Sequence, residues 1–168
     1  MVKLACLRVG KVVIPTLALL LLAMMVVTPA MAVTKEAYQG HHEMDLINPG
    51  TVWVTGGNIQ HVKDSYWMGT SEGSLGVGTM EIWYNHISLN LNTGQGTYSG
   101  KFLITIPGAG TVEGSGRGII TGFNSVGTWE VTHCTGEFQG SKTMGSALAA
   151  FTSATHFSMD CEGTTINH

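Results

Sequence analysis

Between Gly94 and Gly140 the chain alternates apolar and polar residues in short runs, and glycine-rich turns cut those runs at regular intervals. Tyr98, Phe102, Ile104 and Ile106 fall on one phase, while Thr97, Ser99, Lys101 and Thr105 fall on the other, with Leu103 the exception. A period of two predicts a strand with one buried face. Pro107-Gly108-Ala109-Gly110 cannot continue a central ladder, because proline has no N–H to donate and glycine favours turns, so a hairpin turn is expected there. Three further runs follow at the spacing of meandering strands: 111–113, 118–122 and 127–134.

The same pattern extends in both directions. Thr51 to Thr55 alternates, Gly56-Gly57 interrupts it, and 58–62 resumes it; 65–70 is a further run. The longest unbroken candidate is 79–91, where Trp83, Ile87 and Leu89 oppose Met80, Ile82 and Tyr84. Asn92 to Gly96 predicts a hairpin turn after it. Residues 141–150 are small, the one segment compatible with a helical turn, and 153–163 closes the chain with Phe157, Met159 and Cys161 alternating against His156, Ser158, Asp160 and Glu162. About eight strands with short turns predict an all-β domain, a single eight-stranded antiparallel barrel, because closure removes exposed edges. Such a barrel is either filled by side chains or holds one small ligand. A two-sheet sandwich is the structural alternative. Residues 33–50 are polar and lack a clear period, so the expected organisation is an N-terminal leader over 1–32, an arm over 33–50 and the barrel over 51–168.

The leader has three parts: a basic start at Lys3, Arg8 and Lys11, an apolar stretch from Val12 to Val27, and Ala30-Met31-Ala32. That layout predicts a secretory signal peptide cleaved after Ala32, and a protein secreted to the extracellular space or a periplasm. The alternative is a membrane anchor through an uncleaved 12–27 segment, which is shorter than the ~20 residues that usually span a bilayer. Cleavage leaves 136 residues, with 5 Lys and Arg against 11 acids and a formal charge of −6. Five scattered cations exclude nucleic acid as a partner, and no membrane association is expected after cleavage.

Two cysteines follow the leader, Cys134 and Cys161. In an oxidising compartment two thiols in one small domain are expected to pair, closing a loop of 27 residues. Such a bond is worth about 3 kcal/mol. The phases disagree, however: Cys161 runs with Phe157 and Met159, whereas Cys134 is out of step with Trp129 and Val131 unless a bulge intervenes.

The run GTYSGKFLITIPGAGTVEGSGRGIITG, followed by GTWEVTHCTGEFQGSKTMGSALAAF, resembles the second half of barrels in the allene oxide cyclase and dirigent superfamily. Those proteins end on a Gly-Thr strand and a glycine-rich segment, matched here by Thr135-Gly136-Glu137-Phe138-Gln139-Gly140 and Gly145. The opening TVWVTGGNIQHVKD is similar to the first strand of secreted microbial proteins with this kind of barrel. The resemblance covers about residues 51–163 and implies an allene oxide cyclase-like, calycin-like barrel, in a superfamily whose enzymes cyclise or orient small apolar ligands in the lumen. It carries no catalytic residue across.

Candidate chemistry is sparse. His133 shares a phase with Trp129 and Val131 and is expected to point inward; a histidine satisfied by one hydrogen bond is the plainer reading. Glu113 and Arg117 share a phase and, if inward, could fix a ligand carbonyl or shift a proton; charges are rarely buried, so an outward or rim position is favoured. These three are the candidate catalytic residues of a cofactor-free cyclase or isomerase. Trp53, Trp67, Trp83 and Trp129 could line a pocket for an aromatic or lipid-like ligand, although packing in a core with few other large residues is the first reading for each; Trp53, Trp83 and Trp129, with His133, are the candidate ligand-binding set. His41-His42-Glu43 could catch a metal, but neighbours in an extended segment point opposite ways and no ligand spacing supports a site. No cofactor or metal is expected. The first reading is a secreted module that binds a small apolar ligand or an extracellular partner, with homo-oligomerisation left open.

Overall fold

The computed structural model describes residues 34–167, and the leader expected over 1–32 lies outside the described residues. Ten strands follow in order: β1 (Thr34–Asn48), β2 (Thr51–Thr55), β3 (Ile59–Lys63), β4 (Ser65–Gly73), β5 (Gly76–Asn90), β6 (Gln95–Ile106), β7 (Gly110–Thr121), β8 (Asn124–Cys134), β9 (Lys142–Ser153) and β10 (His156–Asn167). Every pairing is antiparallel. Eight of the strands close a barrel, running β4-β1-β10-β9-β8-β7-β6-β5 and returning from β5 to β4. The predicted eight-stranded antiparallel barrel is therefore the fold.

The two remaining strands are the tip of one long hairpin. β1 and β4 pair from Gly40↔Gly73 to Asn48↔Tyr66, and β2 and β3 continue in step from Thr51↔Lys63. Between them both arms bend. Gly50 takes a left-handed φ of 70° and Asp64 one of 57°, and a side chain at Gly50 would run into the Lys63 carbonyl. Past the bend the tip leaves β4's course, and β3 pairs with the far end of β5. β2 is left as an open edge.

The segment read as an arm is thus β1, fully integrated between β10 and β4. Its alternation is present, with Tyr38, His42 and Met44 facing in and Gln39, His41 and Asp45 facing out. A glycine and a histidine on the inner face hide that period. Residues 141–150 are also a strand, β9, with Thr143, Ala147 and Ala149 inside and Met144 and Leu148 outside. The 111–113 and 118–122 runs are one strand, because Gly114, Gly116 and Gly118 belong to the ladder of β7 rather than to a turn. There the missing side chains make room for rings from other strands: a Cβ at Gly114 would meet the Phe102 ring, and one at Gly118 would meet the Tyr98 ring.

The barrel is filled at one end and hollow at the other. At the hairpin end Met44, Trp67, Phe151 and Phe157 form a plug, with ring centroids of Trp67 and Phe157 at 4.9 Å and of Phe151 and Phe157 at 5.0 Å. Met44 and Phe157 are completely buried. Two bulges decide what faces the interior elsewhere. One at Asn85 shifts the β5–β6 register, so Met80, Ile82 and Tyr84 point in before it and Ile87 packs on the core after it. The other, at Thr132, shifts β7–β8 between Glu113 and Gly114.

Candidate functional site

The hollow half encloses a cavity of about 300 Å³, lined chiefly by apolar and aromatic side chains. Its walls come from alternate residues of the barrel strands, as a period-two pattern requires: Met80, Ile82 and Tyr84 from β5, Phe102 and Ile104 from β6, Met159 and Cys161 from β10. Aromatic edges hold one another in place. Tyr38 meets Trp129 edge-on at 5.0 Å, Phe102 meets Trp129 at 6.4 Å, and Tyr84 meets Tyr98 at 5.6 Å. The Trp129 indole N–H donates to the Ser146 carbonyl at 2.9 Å, fixing the ring against β9.

The polar groups inside are neutral. Burial pushes the Tyr38 and Tyr84 hydroxyls well above the usual tyrosine range and the Cys161 thiol up to about 12. His42 is 1% exposed, and burial, aided by the neighbouring His41, lowers its pKa to about 4. Neither of its ring nitrogens has a hydrogen-bond partner. An unpartnered buried group of this kind costs about 1–3 kcal/mol. Ser65 Oγ and Trp67 Nε1 also lack partners, but they do not line the cavity. The charged side chains lining it, Glu36, Lys101 and Glu137, are all exposed.

Of the expected ligand-binding set, Trp129 alone lines this cavity. Trp53 stands on β2 outside the barrel, stacked on His61 at 5.1 Å, and His61 in turn stacks on His86 at 5.3 Å. Thr55 Oγ1 and His61 Nε2 lie 2.8 Å apart. Trp83 is on the outer wall, stacked on Tyr66 at 5.3 Å, and Tyr66 donates to Glu81 at 2.6 Å. Trp67 is in the plug. His133, Glu113 and Arg117 are exposed, out of phase with the lumen-lining Val112, Val131 and Cys134. For His133 the cause is the bulge at Thr132: one extra residue turns His133 out and Cys134 in.

Both cysteines are free thiols, contrary to the expected disulfide. The bulge does bring Cys134 onto the same inner face as Cys161, but at a different height. Cys134 Sγ approaches the Ser141 carbonyl at 3.7 Å, whereas Cys161 pairs with Ala147 on β9. Six residues of strand separate those levels, about 20 Å at ~3.3 Å each. A disulfide needs Cα atoms within about 7 Å.

The outer wall holds a chain of histidines and carboxylates across β1 and β10. His41 Nδ1–H donates to Asp160 at 2.6 Å and Nε2–H to Glu43 at 3.1 Å; His156 Nδ1–H donates to Asp45 at 2.7 Å and Nε2–H to the other oxygen of Glu43 at 3.0 Å. With every ring nitrogen facing a carboxylate, both imidazoles are satisfied only when protonated, and both pKa values are raised, by Asp160 then Glu43 for His41 and chiefly by Asp45 for His156. His41 and His42 therefore act on opposite sides of the wall.

Sequence reasoning weighed His42 only within a possible metal trio and missed its place in the lumen, together with that of the tyrosines 38, 84 and 98. The signal for it is the alternation Tyr38, Gly40, His42, Met44 against the charged and polar 39, 41, 43 and 45. No protein-family model matches the chain, and no curated protein matches it either.

Proposed function

We propose that this barrel is a secreted module that takes up one small, uncharged, largely apolar molecule in its lumen. The observation that carries this reading is the cavity of about 300 Å³ inside a closed barrel, lined mainly by apolar and aromatic side chains. That volume stands at the lower bound of the ~300–1,000 Å³ usual for ligand pockets. The uncharged interior supports a neutral ligand, since a buried charge without a partner is costly. Kinship with the allene oxide cyclase and dirigent superfamily is part of the same proposal; the closed eight-stranded barrel and the 96–151 run support it. Binding is preferred to isomerase chemistry because His133, Glu113 and Arg117 are exposed and do not line the cavity.

Native mass spectrometry of the protein from its own host, followed by denaturation to release anything bound, tests this. A reproducible added mass of small-molecule size is expected. Protein that is empty from the host and takes up no apolar probe would refute it.

A further inference from the structure

We propose that His42 is the polar anchor of the lumen, and that the ligand is an uncharged molecule with an apolar body and one hydroxyl or carbonyl oxygen placed against that imidazole. This rests on the reading of the lumen as a ligand site and narrows the ligand's chemistry.

His42 is buried, lines the cavity and leaves both ring nitrogens without a partner. Buried polar groups are almost always paired, so the pairing partner is missing from the protein itself. The inward neighbours of His42 across the ladders are Met159 on β10 and Ser71 on β4, neither of which bonds to it. Two residues earlier on the same face, Gly40 lets two polar groups crowd over its Cα: the point its Cβ would occupy lies 2.6 Å from the Tyr38 hydroxyl and 3.0 Å from His42 Nε2. A side chain there would close the approach between these two polar groups. Glycine keeps it open.

The state of the ring sets the ligand class. A neutral imidazole offers one N–H and one lone pair, which suits a hydroxyl acting as donor or acceptor, or a carbonyl as acceptor. Burial keeps it neutral over the ordinary pH range, so it presents no charge to a carboxylate or phosphate, and its ladder neighbours present none either. The aromatic edges of Trp129 and Phe102 supply the surface for a flat or fused-ring body.

The test compares 2-naphthol with naphthalene, which share a body and differ by one hydroxyl, using calorimetry on the wild-type protein, His42→Leu and His42→Gln. The wild type should bind 2-naphthol about tenfold more tightly than naphthalene, as one net hydrogen bond in a dry site allows. His42→Leu should erase that preference while keeping naphthalene affinity, and His42→Gln should restore part of it. Equal affinities in the wild type, or a preference that survives His42→Leu, would overturn the anchor and leave the lumen reading standing. Binding of neither probe to the wild type would overturn the lumen reading itself. Should the leucine variant not fold, the ring ¹⁵N resonances of His42 in the wild type decide: 2-naphthol must move them and naphthalene must not.

Discussion

Replacing His42 with leucine removes an imidazole that is held neutral inside an apolar lumen, and its effect on stability is set by pH. In the unfolded chain this histidine takes up its proton near 6.5, whereas in the barrel it resists until about pH 4. Its folded pKa is therefore lowered, the unfolded state binds the extra proton first, and stability falls as pH drops from 6.5 towards 4. Each pKa unit is worth ~1.36 kcal/mol, so this one side chain removes about 3 kcal/mol across that window. Leucine carries no proton and fills the same wall without an orphaned polar group. Equilibrium urea unfolding at a series of pH values reads the difference. At pH 7 the variant should be at least as stable as the wild type, and its advantage should widen on acidification, reaching about 1–3 M in urea midpoint at ordinary urea slopes. Carboxylates titrate in the same window, but they do so in both proteins and cancel. Parallel pH profiles for the two proteins would refute the reasoning, because they would mean that His42 titrates as a solvated group and the lumen is wet.

The plug gives a second expectation: Phe157→Ala opens a void between Trp67 and Phe151, and chemical denaturation should show a loss of about 3–5 kcal/mol. The thiols give a third. Reductant should leave the mass of the purified protein unchanged, and alkylation of Cys161 should require unfolding, since its thiol is buried and its pKa is pushed up to about 12. On the outer wall His41 and His156 have raised folded pKa values, so what they contribute is fully present below about 6.5 and fades as pH rises through the folded values. NMR titration should place both above their unfolded value, and Glu43→Gln, which removes the carboxylate they share, should lower both; unchanged titrations would count against the network.

Period-two alternation and glycine-proline punctuation determine by themselves that this chain is all-β, built of strands joined by tight turns, because both are local: a pleated strand sends neighbours to opposite faces whatever lies beside it. On that basis β5, β6, β8 and β10 are legible, and so is the burial of Phe102, Ile104, Phe157 and Met159. Which face becomes the lumen beyond an irregularity is not local. The bulges at Asn85 and Thr132 exist only as mismatches between paired strands, and each reverses the phase that follows, sending His133 out and Cys134 in. Closure decides the rest. The polar segment around His42 becomes a wall strand only because β10 and β4 lie on either side of it, and the glycines of β7 read as turns until rings from neighbouring strands are seen to occupy the space above them. The strands are a property of the sequence, while the lumen and its unpartnered imidazole arise from the way those strands pair.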